Sequence, residues 1–322
     1  MTYIESDDEY FKIVEQHSGL LFSTIKTTAF PQTYRAFFGF CAKTNSLKTA
    51  MFDMIDSNNP YAFKALFRCY AEHYLKFTYL FIRFLKEKSD EVGDEYFSFC
   101  GAVETLDYAS AISLAEGLLG NDVSLTTDRI LEDLYPKAAS LSRRTLETAS
   151  GKFKYRAILR YLSEEMPGIV AKETPFLAQI VPAYALLSSF VHGGPWTDMD
   201  MQSYAKPEAL LECEHDAEIV FMMTASDFMF TAMAVSREFP EVGSIASSTK
   251  SVINQFLSES NEVETRQMGR LPGRRIDRPG NVERIPAAGP RRNPRLERVV
   301  GNGVKLLRRN ARLVDDIVSV EI

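Results

Sequence analysis

Paired cysteines are missing from this chain. Its four cysteines, Cys41, Cys69, Cys100 and Cys213, are scattered with no C-x-x-C among them, a pattern that fits buried thiols in a reducing compartment better than a disulfide frame or a zinc site. Only Cys213 and His215 lie close together, and two ligands do not hold a metal. Histidine is scarce, with four residues, and no H-E-x-x-H string or EF-hand loop occurs, so no metal and no cofactor is expected. The absence of a G-x-x-x-x-G-K loop argues against ATP or GTP hydrolysis. Long apolar runs are missing too: Lys76 and Arg83 interrupt one greasy stretch and Asp227 another, and none reaches the roughly 20 uninterrupted apolar residues of a membrane span. The start, MTYIESDDEYFKIVEQ, is acidic and lacks the basic opening of a secretory signal, so the cytoplasm is the expected location and no membrane contact is expected. Alternating strand pairs and repeats of 20 to 50 residues are also missing.

What is present is helical periodicity. The 322 residues are 45% hydrophobic and 11% aromatic, enough to bury a core in one large domain or two smaller ones. Amphipathic windows recur over 7–26, 31–56, 60–88, 94–119, 127–148, 152–165, 175–192 and 207–237, with a shorter one over 246–258. Punctuation separates them: Ser57-Asn58-Asn59-Pro60 reads as a stop and restart, Gly120-Asn121-Asp122 as an end, Thr126-Thr127-Asp128 as a cap and His192-Gly193-Gly194-Pro195 as a stop. Pro182 interrupts the 175–192 window, so that helix is predicted to begin there. The predicted fold is all-α, an antiparallel helical bundle over residues 1–260.

The net charge of −6 hides a division. Residues 266–322 carry 13 Arg, one Lys and 6 acids, whereas residues 1–265 carry 23 basic and 37 acidic residues, net −14. Residues 261–298, rich in Arg, Pro and Gly, are predicted to be a disordered basic linker. Residues 299–322 regain apolar side chains and read as a short docking segment for a protein partner, with a helix over 303–314. The tail reads either as a solubilising or targeting arm or as a contact for RNA or another polyanion; Arg274, Arg275, Arg278, Arg291, Arg292 and Arg295 are its candidate phosphate ligands.

Two polar stripes stand out against this background. Arg68 and Glu72 sit four residues apart inside ALFRCYAEHYLKFTYLFIRF, on one face of a helix, where a buried pair is costly unless partnered. Tyr184, Ser188 and His192 repeat the four-residue step in YALLSSFVHGG. One reading makes the first stripe a structural ion pair and the second a satisfied polar seam, with Ser188 bonding to its own helix. The other joins them in one site: His192 moves a proton, Arg68 steadies phosphate charge, and Glu72 and Tyr184 set orientation. Tyr79 lies seven residues beyond Glu72, to add a hydroxyl or to pack. A serine hydrolase is the poorer match, because Ser188 lies mid-helix without a glycine elbow.

Arg68 and His73 form an Arg-x4-His string that resembles the signature of the HEPN ribonucleases, all-helical bacterial proteins of toxin and antiphage systems. On an ideal helix, however, His73 lies about 140° around from Arg68. The pattern Arg68-x3-Glu72 followed by Tyr184-x3-Ser188-x3-His192 resembles instead an all-helical bacterial family catalogued as a domain of unknown function, itself HEPN-like, over residues 60–195. This resemblance makes His192 the histidine of interest, at a helix end that favours its protonated form. It implies a homodimer that binds or cleaves RNA, the latter as a metal-independent endoribonuclease. The rival expectation is a non-catalytic helical adaptor with a polyanion-binding tail.

Overall fold

The computed structural model describes residues 2–121, 127–165, 175–200 and 207–268, and these form an all-α structure. Helix α1 (Tyr3–Thr24) begins four residues before the periodic window because Thr2 and Glu5 build a capping box: Glu5 N donates to Thr2 Oγ1 at 3.2 Å and Thr2 N to Glu5 Oε2 at 2.7 Å. Helix α2 (Pro31–Asp56) ends where Asn58 turns left-handed, φ 50°, and Asn59 then caps α3 (Pro60–Glu87) by accepting from Ala62 N at 3.1 Å. The window over 94–119 is one helical path in three parts: α4 (Glu91–Glu95), a π-helical turn (Tyr96–Cys100) and α5 (Gly101–Leu118), stopped by Gly120 at φ 81°.

The window over 127–148 is not one helix. Pro136 restarts the chain after α6 (Asp128–Leu134) to give the single turn α7 (Pro136–Ala139), and Ser142 caps α8 (Arg143–Ser150) through Thr145 N at 3.3 Å. Thr127 occupies the N-cap position of α6 without a capping hydrogen bond from its side chain. A 3-10 turn (Gly151–Phe153) leads into α9 (Tyr155–Glu165). Helices α10 (Pro175–His192), α11 (Pro195–Asp200), α12 (Pro207–Ser236) and α13 (Gly243–Met268) complete the described chain. The expected helix over 303–314, and all tail arginines named above, lie outside the described residues.

Helices α2, α3 and α12 pack on one another, with α1 and α13 against α12. Phe37 meets Phe77, Phe81 and Phe84 at ring-centroid distances of 5.7, 6.0 and 5.7 Å. By length and composition α12 is apolar enough to cross a membrane, but 78% of its most apolar window is buried inside the fold. It is the central core helix. A smaller cluster, Ala102, Leu131, Ala138 and Leu146, holds α6, α7 and α8 against the start of α5. Gly101 is required there, because any Cβ would strike the Tyr135 ring.

Asp227, whose charge broke the apolar run of α12, is 0% exposed, and neither of its carboxyl oxygens has a hydrogen-bond partner. Burial drives its pKa well above the ordinary carboxylate value. The folded state therefore holds this proton after the unfolded chain, with a value near 4, has released it, so stability falls as pH rises from about 4 toward the folded value. Asp227→Asn keeps the shape and removes that loss. In thermal melts the variant should gain on wild type between pH 4 and pH 8, by roughly 2–4 °C per kcal/mol; a difference in melting temperature that stays flat with pH would contradict a neutral buried carboxyl.

Candidate functional site

Helix α10 lies along α3, seated by the buried Leu187 and Phe190 and by Tyr61, which donates to the Phe190 carbonyl at 2.9 Å. The helix starts at Pro175 and continues through position 182, so the predicted start at Pro182 is too late and Tyr184 falls in mid-helix. Proline costs an interior helix one hydrogen bond, a loss that packing of the helix on α3 offsets.

That packing brings the two stripes together. Arg68 is 9% exposed and projects from α3 into three contacts. Its Nη1 donates to Glu72 Oε2 at 2.9 Å and its Nε to Ser188 Oγ at 3.1 Å, while its Cζ lies 3.3 Å from the Tyr184 ring centroid. Ser188 Oγ in turn donates to its own helix at Tyr184 O, 2.9 Å. Tyr155, from the start of α9, stacks on Tyr184 with ring centroids 3.7 Å apart and planes 8° from parallel. Two groups at these distances cannot share one face of a ring. Arg68, Tyr184 and Tyr155 therefore form a three-layer stack in which the guanidinium supplies a cation–π contact.

Glu72 closes the group. Its Oε1 takes an ion pair from Lys76 at 3.0 Å, and the Tyr184 hydroxyl lies 3.5 Å from its Oε2. Burial alone would raise its carboxyl, but the Arg68 hydrogen bond and the Lys76 charge outweigh that and hold it below the usual carboxylate range. Tyr155 is pushed up to about 12, by burial first and then by the Tyr184 oxygen. Comparison with protein-family models, with curated proteins and with solved structures finds no match. No family is identified.

The histidines stay outside the group. His73 lies on another side of α3, half-buried against Phe40 and bonded through Nδ1 to Cys69 O at 2.8 Å, as the 140° angle requires. Its pKa is lowered, chiefly by burial. His192, the expected partner of Arg68, is exposed at the last turn of α10, and no described side chain hydrogen-bonds to its ring. Gly193, at φ 63°, ends the helix immediately after it, so no further turn carries the ring back along α3. Tyr79 packs edge-on against Phe153 and Tyr161. Among the described residues no cluster of three His, Cys, Asp or Glu could hold a metal ion.

Sequence reasoning missed Tyr155, Lys76 and the basic ground around them. Residues 143–160 contain six basic side chains and one acid, Glu147, within an otherwise acidic body. Lys154, Arg156 and Arg160 are exposed beside or beyond Tyr155, and the string KFKYRAILRY, aromatics interleaved with cations, was the available signal.

The stack ties α9 and α10 to α3. Arg68→Lys keeps a cation for Glu72 but loses the planar fork and the bond to Ser188, so urea unfolding should show a loss of about 1–3 kcal/mol. Tyr184→Phe, which keeps the ring, should cost roughly 0.5 kcal/mol or less, since only a long hydroxyl contact disappears. Equal losses would show that the hydroxyl, not the stack, ties these helices.

Proposed function

We propose that the protein binds single-stranded RNA on the face where the Arg68, Tyr184 and Tyr155 stack meets Lys154, Arg156 and Arg160. The observation that carries this reading is a partly exposed tyrosine pair beside exposed cations, on a body whose net charge is otherwise negative. Unpaired bases stack on aromatic rings, and lysine and arginine meet the phosphates between them. Arg68 itself is better suited to hold Tyr184 than to receive a phosphate, because it is nearly buried and already faces Glu72. The phosphate contacts fall instead to the α9 cations, at a helix start whose dipole also favours an anion. The tail arginines, among them Arg274, Arg275, Arg278, Arg291, Arg292 and Arg295, add a sequence-independent attraction.

A second reading is metal-independent cleavage of the bound strand, in line with the HEPN-like resemblance. Its support is the position of His192, exposed and one turn beyond Ser188 on the same stripe. Among the described residues no hydrogen bond holds its imidazole, which favours its availability to a bound ribose.

Binding is measured by fluorescence anisotropy with labelled single-stranded and duplex RNA of equal length. Tyr155→Ala should lower single-strand affinity roughly 5- to 150-fold, the worth of one stacked base, and leave duplex affinity almost unchanged. Arg156→Glu with Arg160→Glu should weaken both and flatten the salt dependence. If all variants keep wild-type affinity for both RNAs with their helical circular dichroism intact, the face is not an RNA site. Cleavage in EDTA that His192→Ala abolishes supports the second reading, and equal cleavage by that variant removes it.

A further inference from the structure

Among the described residues almost nothing covers the second half of helix α5. Tyr108, Leu118 and Leu119 are 71%, 83% and 75% exposed, and Ala111 and Ala115 between them are also exposed. At 100° per residue these five positions occupy one stripe about 100° wide, the width of a face that is ordinarily buried. Carboxylates border it. Glu104 heads the stripe, and Asp107 and Glu116 flank it on opposite sides. Arg143 from α8 pairs with Asp107 at 2.7 Å, and α5 itself carries no lysine or arginine.

The chain contains a segment of matching pattern and opposite charge. Tyr108, Ala111, Ala115 and Leu118 are spaced three, four and three residues apart, and so are Val304, Leu307, Ala311 and Val314. That spacing is two successive heptad seams, the pattern with which one helix fits side chains between those of another. Residues 303–314 carry Lys305, Arg308, Arg309 and Arg312 and no acid. We propose that residues 303–314 dock as a helix on the exposed stripe of α5 in the same chain.

Length permits it. The 35 residues between Met268 and Val304 reach up to about 115 Å, against a breadth of roughly 50 Å expected for a domain of this size. Charge selects this occupant over a second copy of the protein. Two bodies of net −14 repel, and a second α5 brings no cation to Glu104 or Glu116.

Hydrogen exchange on the full-length protein, read by mass spectrometry, tests the proposal. Amides over 108–118 and over 303–314 should both be protected, and Leu307→Asp with Val314→Asp should speed exchange of both segments by about tenfold or more. Leu118→Asp, at a surface position that leaves the core untouched, should release residues 303–314 in the same way. Protection must also survive 50-fold dilution, since the contact lies within one chain. Three results would overturn it: unchanged exchange over 108–118 in the tail variant, protection that disappears on dilution, or a dimer in sedimentation that Leu118→Asp dissociates and the tail variant does not.

Discussion

Helix α3 carries charge through the aromatic core, and three of its cations, Lys64, Arg68 and Arg83, each reach a partner on another helix. Lys64 pairs with Asp216 of α12, Arg68 reaches Ser188 and Tyr184 of α10, and Arg83 joins Glu87 to Glu95 of α4 at 2.8 Å. Such pairs add little net stability, because desolvation offsets most of the Coulomb gain. Their effect is on register: a slip of one residue would turn each charge by about 100° into aromatic rings and leave it unpaired. The apolar contacts between the same helices are far more forgiving of such a slip.

The stack at Arg68 follows from that constraint. An arginine held by Glu72 and Ser188 presents the flat face of its guanidinium, and Tyr184 covers it; Tyr184 then offers its opposite face to Tyr155. A buried ionic contact is thereby extended, ring by ring, to the start of α9. Polar chemistry inside the bundle and basic chemistry on its surface thus meet through two tyrosines that serve neither purpose alone.

Much of this was legible from residue order. The four-residue steps of Arg68 and Glu72, and of Tyr184 and Ser188, depend only on helical geometry, and asparagine, glycine and proline marked most of the helix ends correctly. Other features depend on contacts between distant segments. His192 shares the spacing of Tyr184 and Ser188, but a helix turns 40° past a full circle with each four-residue step, and its stripe drifts off the interface. Tyr155 belongs to no periodic polar pattern; its role comes from the place where α9 begins. Pro182 would be a sound start signal in an isolated helix, where no neighbour compensates for the bond lost at an interior proline. The split at Pro136 came from the reverse case, a breaker hidden by a window whose apolar spacing continued across it.

The π-helical turn at Tyr96–Cys100 has a meaning for how this molecule can change. Such a turn holds one residue more than the α-helical path it interrupts. A residue added within an unbroken α-helix turns everything beyond it by about 100°, whereas the wide turn takes up the extra residue locally. Loss of a single residue there would restore an ordinary helix and leave Tyr108, Ala115 and Leu118 on the side of the lobe they already occupy. The chain leading to that surface is therefore able to change length by one residue while the surface keeps its aim.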